Sequence, residues 1–326
     1  MMASQAGEAS VIHQRPDRNR PFHAPVMQRR QYGAMNLTVD LAANQPVAQD
    51  LSGQVALVTG ANTGIGRITA RELARRGADV FLATRSLART EPVLGEIAQL
   101  SGRPGAAHWL ELDLADLASV RACAERFLAS GRPLHLLVNN AGLGGQRGLT
   151  RDGLEMAFGV NHMGHFLLTQ LLRERLLASA PARVVTVASR AHQWAPGLDW
   201  DALRQPTRSL TGIREYMVSK LANVLFSAEL GRQLAGSGVS SYAVHPGVVD
   251  TEIWRQVPRL LRPLIKLRGL RDPEQGAQTT LYCALQAPAQ ETGRYYADSA
   301  LKTPSRLAQD PRLAADLWRF SKQFLS

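Results

Sequence analysis

A tyrosine and a lysine four residues apart, Tyr216 and Lys220, are the pair in this chain best suited to proton transfer. The spacing places both on one face of a helix, so the lysine ammonium can lie beside the tyrosine hydroxyl. A nearby positive charge favours the phenolate, and lowering a tyrosine pKa from about 10 to about 7 requires roughly 4 kcal/mol. The pair is therefore a candidate general acid and base. Taken alone, such a pair is also common on exposed helix surfaces.

A glycine-rich segment between a predicted strand and a predicted helix is a second candidate site. The apolar run Val55–Val58 predicts a strand buried on both faces, and Gly60, Gly64 and Gly66 follow it directly. Glycines at such a turn let the backbone approach a pyrophosphate, whose charge is then bound by N–H groups at the helix N-terminus. The segment predicts a dinucleotide site, although its spacing differs from G-x-G-x-x-G and a plain tight turn is the alternative.

The end of the second predicted strand indicates which dinucleotide is bound. In nucleotide-binding α/β folds the adenosine ribose lies at this point, and an acidic residue there would select NAD. Here Thr84 stands in that place, Arg85 follows it, and Arg67 adds a cation just after the glycine segment. Because guanidinium groups form charge-assisted hydrogen bonds with phosphate, the sequence favours NADP(H) over NAD(H). The alternative is that both arginines are solvated surface charges.

Predicted strands and helices alternate along the chain and would position these residues. Such alternation is typical of βαβ units, so the predicted fold class is α/β, a single doubly wound Rossmann-type parallel sheet with helices on both faces. The predicted strands are residues 55–58, 79–84, 106–111, 134–138, 184–188, 239–245 and 293–297. The predicted helices are one after the glycine segment, 87–100, 116–128 with Asp116 as a cap, 153–177, 213–234, 271–285 and a terminal helix through 317.

Residues 1–50 differ from the rest of the chain, since they follow neither the helix nor the strand period. We expect them to form a disordered arm, and residues 51–326 to form one domain that holds both the cofactor and the substrate site. Met35 stands just before the domain-like sequence. Translation from Met35 is a hypothesis that mass spectrometry of the native N-terminus would test.

Composition and charge narrow the function classes. The formal net charge is +11, but the arginines are scattered over nearly every predicted helix and form no basic stripe interleaved with aromatics, which argues against a nucleic-acid partner. No apolar run has membrane-spanning length, so we expect a soluble, cytoplasmic protein without a transmembrane segment. Cys123 and Cys283 lack metal-site spacing and are expected to be reduced core thiols.

Several motifs, in their order along the chain, resemble those of the short-chain dehydrogenase/reductase family. They are Thr59-Gly60-x-x-x-Gly64-Ile65-Gly66, Asn139-Asn140-Ala141-Gly142, Ser189, Tyr216-x-x-x-Lys220 and Pro246-Gly247. Residues 160–166, 219–226, 245–251 and 273–279 are similar to the retinol dehydrogenase-like branch. Two features depart from the pattern. Residues 1–50 show no counterpart of the apolar membrane anchor of many animal members, which weakens an expectation of membrane attachment, and the serine motif reads Val-Ala-Ser-Arg rather than paired serines.

The resemblance implies a catalytic role for four residues. Tyr216 would be the general acid for carbonyl reduction and the base for alcohol oxidation, while Ser189 would donate a hydrogen bond to the reacting oxygen. Lys220 would lower the tyrosine pKa and hold the nicotinamide ribose. Asn161 would position a water that connects Lys220 to solvent, although it could instead only stabilise adjacent backbone.

The resemblance also implies which residues contact the cofactor. Asp113 would bind the adenine edge or only cap backbone, Asn140 would line the cofactor strand, and Thr251 would reach the carboxamide. The full set is Gly60, Asn62, Thr63, Gly64, Ile65, Gly66, Arg67, Arg85, Asp113, Leu114, Asn140, Tyr216, Lys220, Val249 and Thr251. No metal site is expected, because four histidines have spacings that fit no ligand set and are expected to be structural. These are His162, His165, His192 and His245.

The expected substrate is a small apolar carbonyl compound or alcohol, because the residues expected at the pocket wall are mainly apolar. They are Leu143, Trp194, Leu198, Trp200, Val248 and Trp254. Residues 254–271 are amphipathic, and their prolines predict two short helical pieces with a hinge. The resemblance places a mobile substrate lid at this position, so we expect a lid over the pocket, with membrane contact as the alternative. Two other functions stay open, a non-catalytic NADP(H) sensor and an interaction protein that docks a partner through its basic arm. A homodimer is also left open.

Overall fold

Among the described residues, one sheet of eight strands lies at the centre of the domain. The structure is a computed structural model, and it describes residues 49–247 and 272–326. The strands are β1 Val55–Thr59, β2 Asp79–Thr84, β3 Ala107–Glu111, β4 Leu136–Asn139, β5 Ala182–Val187, β6 Val239–His245, β7 Arg294–Ala297 and β8 Ala300–Leu301. Their order is β3-β2-β1-β4-β5-β6-β7-β8, and all neighbours are parallel except the β7–β8 pair.

Helices cover both faces of this sheet. They are α1 Gly64–Arg75, α2 Leu87–Ser101, α3 Leu117–Ala129, α4 Met156–Phe158, α5 Gly164–Leu171, α6 Arg173–Ala178, α7 Ile213–Gln233, α8 Pro273–Leu285 and α9 Pro311–Leu325. Ala56 and Val58 pack with residues of α1, α2 and α8 on one face, whereas Val55 and Leu57 pack with residues of α3, α5 and α7 on the other. The predicted α/β class and the doubly wound parallel sheet are confirmed.

The strand order creates a crevice at one edge of the sheet. β1 lies between β2 and β4, so the chain crosses over to one side of β1 first and to its other side later. In sheets of this kind, ligands bind where the direction reverses, beyond the carboxyl ends of the strands. Gly60, Asn140 and Ser189 directly follow or lie just beyond β1, β4 and β5. The parallel topology therefore brings the candidate motifs of the sequence to one edge.

The long helix predicted over residues 153–177 is wrong in detail. The structure has α4, then a π-helical turn at Gly159–Met163, then α5, and the helical geometry breaks at Leu172 before α6. Gly159 explains part of this irregularity, because a Cβ there would lie 2.3 Å from the Thr150 side chain, so the turn packs very closely on the preceding loop. π-helical turns inside helices are frequent at functional sites, and this one contains Asn161.

The ends of the other elements follow local signals. The Asp116 side chain accepts hydrogen bonds from the N–H groups of Ala118 and Ser119, which confirms the predicted cap of α3. The terminal helix begins after an Asp310 cap and continues to Leu325, eight residues beyond the predicted Leu317, because Trp318, Phe324 and Leu325 also pack on the core. Within the described residues no helix is long and apolar enough to cross a membrane. The predicted arm lies outside them except for residues 49 and 50, and so does Met35.

Candidate active site

The glycine segment after β1 is shaped for close approach of another molecule or chain. Gly60 and Gly64 have φ angles of +65° and +53°, in the left-handed region that favours glycine. A Cβ on Gly66 would lie 2.4 Å from Asn140 Nδ2 and 2.6 Å from the Gly60 carbonyl oxygen. At the N-terminus of α1 the Thr63 side chain makes no capping hydrogen bond, and the first turn carries no acidic residue. The N–H groups of this turn are therefore suited to a phosphate.

The end of β1 is joined to the loop after β4 by hydrogen bonds. Thr59 Oγ1 accepts from the backbone N–H groups of Asn140 and Ala141, each at 2.9 Å, and Asn140 Nδ2 donates to the Thr59 carbonyl at 2.7 Å. The Asn140 side chain thus holds the two loops that line the crevice. Asn62 is half-buried, whereas the Ile65 side chain is buried in the core. Ile65 can therefore contact a cofactor only through its backbone.

A buried histidine connects this loop to Asn161. His165 Nδ1 lies 3.0 Å from the Asn161 carbonyl oxygen, and His165 Nε2 lies 2.9 Å from Thr59 Oγ1. Since a carbonyl can only accept, Nδ1 carries the proton and Nε2 accepts from Thr59. Burial lowers the pKa of His165 to about 4, so the ring is neutral at physiological pH. His165 therefore does more than the purely structural role expected of it, because it links the end of β1 to Asn161.

Asn161 has every side-chain group engaged. Its Oδ1 accepts from the Leu143 N–H at 2.8 Å, and its Nδ2 donates to the Leu143 carbonyl and to Ser219 Oγ, both at 2.9 Å. Ser219 in turn donates to the Tyr216 carbonyl at 2.8 Å. The side chain therefore stabilises backbone, which was the alternative considered for it. The water-positioning role remains a prediction.

Ser189, Tyr216 and Lys220 meet at the carboxyl end of β5. Ser189 lies two residues beyond this strand, and its side chain lies beside the Tyr216 hydroxyl. Lys220 lies one turn after Tyr216 on α7, with its Nζ 5.7 Å from the centre of the tyrosine ring. This Nζ donates to the Val187 carbonyl at 2.9 Å, and the side chain is buried. The three residues that the motifs single out are thus brought together.

Burial dominates the protonation of this group. It lowers the pKa of Lys220 to about 7, because the ammonium loses hydration that one carbonyl does not replace. Burial also raises the pKa of Tyr216, and the Ser189 hydrogen bond offsets only part of this effect. The described residues therefore do not lower the tyrosine pKa as predicted, since the phenolate loses hydration and Lys220 itself is only partly charged near pH 7.

Two histidines that were expected to be structural hold the loop that carries Ser189. His192 Nδ1 donates to the Ser189 carbonyl at 2.7 Å, and His192 Nε2 accepts from the Ser305 N–H at 3.1 Å. His245 Nδ1 accepts from the Arg190 N–H at 3.2 Å. Their contacts show how Ser189 is positioned from β6 and from the C-terminal segment. Across residues 49–247 and 272–326, no three histidine, cysteine or acidic side chains are grouped as metal ligands would be.

The residues at the end of β2 differ in how accessible they are. Thr84 is buried, with its hydroxyl 2.6 Å from Thr90 Oγ1 and accepting from Trp109 Nε1 at 3.0 Å, so its side chain is committed to the protein. Arg85 is exposed and has no side-chain partner among the described residues. Arg67 is ion-paired with Glu96, with Nη2 to Oε2 at 2.7 Å. Of the two arginines predicted to bind a 2′-phosphate, Arg67 is therefore held in an ion pair and Arg85 is not.

Other predicted contacts are constrained by packing. Asp113 is half-buried and its Oδ1 accepts from the Ala115 N–H at 3.0 Å, in agreement with the capping alternative. The Leu114 side chain is buried in the core, and its Cδ2 would lie 2.8 Å from a Cβ on Gly164. An adenine contact of Leu114 can therefore involve only its backbone. Val249 and Thr251 lie outside the described residues.

The predicted pocket wall is described only in part. Leu143 is half-buried and Trp194 is 62% exposed. Leu198 and Trp200 pack with the core cluster that includes Leu317, and the Trp200 ring lies 5.2 Å from that of Phe320. Trp200 is therefore directed to the terminal helix. Val248, Trp254 and the predicted lid at 254–271 lie outside the described residues.

Comparisons with known proteins identify the family of this chain. The family model for short chain dehydrogenase matches residues 54–198. The chain is 48% identical to Dehydrogenase/reductase SDR family member 13 from Bos taurus over 279 residues, 84% of this chain and 73% of the relative. It is 44% identical to Retinol dehydrogenase 12 from Homo sapiens over 283 residues, 84% of this chain and 87% of the relative.

A solved structure shares the fold at similar coverage. It is an uncharacterized protein from Mycobacterium Paratuberculosis, with a TM-score of 0.67 and 35% identity, and the match covers 85% of this chain and 94% of that one. The identity and coverage of these relatives are high enough to show the family of this chain. The chain therefore belongs to the short-chain dehydrogenase/reductase family, whose members are NAD(P)-dependent oxidoreductases of alcohol and carbonyl groups.

Proposed function

We propose that the chain transfers hydride between NADP(H) and the carbonyl or alcohol group of a small apolar substrate, with Tyr216 as the general acid and base. The observation that carries this proposal is the placement of the Ser189 side chain beside the Tyr216 hydroxyl, one helical turn from buried Lys220. A protein that only senses a dinucleotide needs the glycine segment but has no use for a proton donor beside it. The geometry therefore favours catalysis over the sensor and the interaction protein.

The side chains divide the reaction between them. When bound, the nicotinamide ring supplies or accepts the hydride. In the reducing direction Tyr216 donates its hydroxyl proton to the substrate oxygen, and Ser189 donates a hydrogen bond to the same oxygen as negative charge develops. In the oxidising direction Tyr216 takes the proton from the alcohol. Lys220, with a pKa of about 7, can exchange a proton at neutral pH, and in its charged form it would stabilise the tyrosinate.

The choice of NADP(H) is supported by the end of β2. No carboxylate stands there to bind a ribose 2′-hydroxyl, Thr84 is turned into the protein, and Arg85 is exposed beside it. A 2′-phosphate would form charge-assisted hydrogen bonds with such a guanidinium. The residues present fit the dinucleotide, because the α1 N-terminus offers uncapped N–H groups and Gly60 and Gly64 have the left-handed backbone of the tight turn in front of it.

An apolar substrate is supported by the half-buried Leu143 and the exposed Trp194 near the serine loop. A relative named retinol dehydrogenase suggests that long apolar alcohols and aldehydes are the first class to test. We also propose that the protein acts in the cytoplasm, since both described cysteines are unpaired thiols. We propose a homodimer as the oligomeric state of the protein.

Turnover by the purified protein tests the function directly. Aldehydes of increasing chain length should be reduced with NADPH, followed by the loss of nicotinamide absorbance, and kcat/KM should increase with the apolar length of the substrate. Binding of NADPH without turnover of any aldehyde, ketone or alcohol would favour the sensor. Absence of dinucleotide binding altogether would favour the interaction protein.

A further inference from the structure

A chain of ion pairs runs beside the predicted adenosine end of the cofactor crevice. Arg67 on α1 binds Glu96 on α2 through Nε at 2.8 Å and Nη2 at 2.7 Å. Glu96 also accepts from Arg71 Nη1 at 3.2 Å, and Arg71 pairs in addition with Glu274 on α8. Glu96 thus holds two arginines of α1, and both of its carboxylate oxygens are used.

The position of Glu96 determines where the Arg67 guanidinium points. Arg67 lies in the first turn of α1, near the edge of the sheet where the dinucleotide is expected. Glu96 lies well inside α2, about 13 Å along the helix from its start at Leu87, given a rise of 1.5 Å per residue. The ion pair therefore directs Arg67 along the groove between α1 and α2, away from the edge of the sheet.

Arg85 offers a contrast at the same edge. It follows β2 directly, is exposed, and has no side-chain partner among residues 49–247 and 272–326. A phosphate that reached this edge could bind Arg85 without breaking an ion pair, whereas binding of Arg67 would require release from Glu96. The two cations would therefore contribute unequally to recognition of a phosphate.

We propose that Glu96 competes with the ribose 2′-phosphate for Arg67 and thereby sets how strongly the protein prefers phosphorylated nucleotides. The inference rests on the proposed preference for NADP(H), and it identifies a specificity-determining residue that does not itself contact the cofactor. The Arg67 side chain is 45% exposed and that of Glu96 21%, so the pair is weak enough to exchange with a ligand.

Removal of the competing carboxylate tests the inference without turnover. The probes are 2′,5′-ADP, which carries the 2′-phosphate, and 5′-AMP, which lacks it, measured by isothermal titration calorimetry. Glu96→Gln should tighten binding of 2′,5′-ADP about twofold to fivefold, the range expected for loss of a competing exposed ion pair, and leave 5′-AMP unchanged. Glu96→Ala should give the same gain. Higher salt should diminish it, because screening weakens both the pair and the phosphate contact.

A matched control is available on α1, the helix that carries Arg67. Glu72 is also 21% exposed at its side chain and is paired with Arg75 and Arg76 rather than with Arg67. Glu72→Gln should therefore leave both probes unchanged. An equal gain in Glu72→Gln, or no gain in Glu96→Gln, would overturn the inference, since the first outcome indicates a general charge effect and the second indicates that Arg67 is not limited by its partner.

The Arg67→Gln background separates the two proposals. There the effect of Glu96→Gln on 2′,5′-ADP should disappear, and its persistence would overturn the inference. The wild-type preference for 2′,5′-ADP over 5′-AMP measures the proposed cofactor choice instead. If the wild type lacks this preference and Glu96→Gln acquires it through Arg67, the proposed cofactor choice fails while the competition is supported.

Discussion

The Tyr216 hydroxyl is the group that we propose gives a proton to a substrate oxygen beside Ser189. Tyr216→Phe keeps the ring on α7 and removes this proton, so kcat should fall by about 10²-fold to 10⁴-fold, the usual contribution of general acid catalysis. The affinity for NADPH, measured by its fluorescence, should change little because the glycine segment is untouched. Activity near the wild-type level in this variant would contradict the assigned role.

The buried lysine predicts a pH dependence of stability. The pKa of Lys220 is about 7 in the folded protein against an ordinary 10.5, so between these values the unfolded chain binds a proton that the folded chain lacks. The free energy of unfolding should therefore rise with pH across this window; the penalty of burial is complete below about pH 7 and absent above the ordinary pKa. Lys220→Met should flatten this rise in urea denaturation at pH 7, 8 and 9.

A lysine on the surface provides the control for this titration. Lys322 is exposed on α9, so Lys322→Met should keep the wild-type slope of unfolding free energy against pH. The buried thiols and tyrosines also titrate in alkaline solution, but they are common to all three proteins and cancel in the comparison. A wild-type slope in Lys220→Met would mean that the lysine does not lose its proton on folding.

The position of Arg85 predicts that its charge affects the preference for NADPH over NADH. Arg85→Asp replaces a cation by a carboxylate at the end of β2, so the ratio of kcat/KM for NADPH to that for NADH should fall about tenfold or more, as expected for loss of a charge-assisted hydrogen bond. Arg121→Asp introduces the same charge change at an exposed position of α3 and should leave the ratio unchanged. An unchanged ratio in both variants would show that Arg85 does not recognise the phosphate.

Among the strands and helices, local sequence patterns predicted most of the strands but not the interruption of the helix over residues 153–177. β2 and β6 have the predicted bounds: β2 contains a continuous apolar run, and β6 is a mainly apolar segment that Ser240 and Ser241 interrupt. The π-helical turn at Gly159–Met163 could not be read from the sequence, since it depends on how closely Gly159 packs against Thr150. Apolar residues continue to recur at helical spacing through this turn, so the sequence predicts one continuous helix.

The π-helical turn also predicts a difference between two buried histidines. His165 holds the Asn161 carbonyl and Thr59, whereas His162 has Ser321 as its partner, and its Nδ1 has no hydrogen bond within the described structure. His165→Phe should lower the free energy of unfolding by about 1–3 kcal/mol, because it leaves buried polar groups unpaired, and should also lower kcat/KM. His162→Phe, placed in an aromatic cluster, should have a smaller effect on kcat/KM. Equal losses of kcat/KM would contradict a specific role of His165.

Across the whole molecule, the sequence predicted which residues form the site better than it predicted their hydrogen-bond and ion-pair partners. Parallel strands carry Gly60, Asn140 and Ser189 to one edge of the sheet, and the family resemblance implied that Ser189 and Tyr216 act at one site. The His165 contact with Thr59 joins residues 106 positions apart, and the Arg67 contact with Glu96 joins residues 29 positions apart. Neither pairing leaves a local pattern in the sequence. Only the packing of α1, α2 and α5 on the sheet brings them together.

The start of the described chain gives the last prediction. Leu51 is fully buried, and its N–H donates to the Arg76 carbonyl at 2.7 Å, so the folded domain includes the residues just before β1. Deletion of residues 1–34 removes none of these contacts and none of the site residues, and kcat and the melting temperature should be preserved. Leu51→Ala should instead lower the free energy of unfolding by about 2–5 kcal/mol through the cavity it leaves. A large loss of melting temperature on deletion would show that residues 1–34 contribute to the stability of the domain.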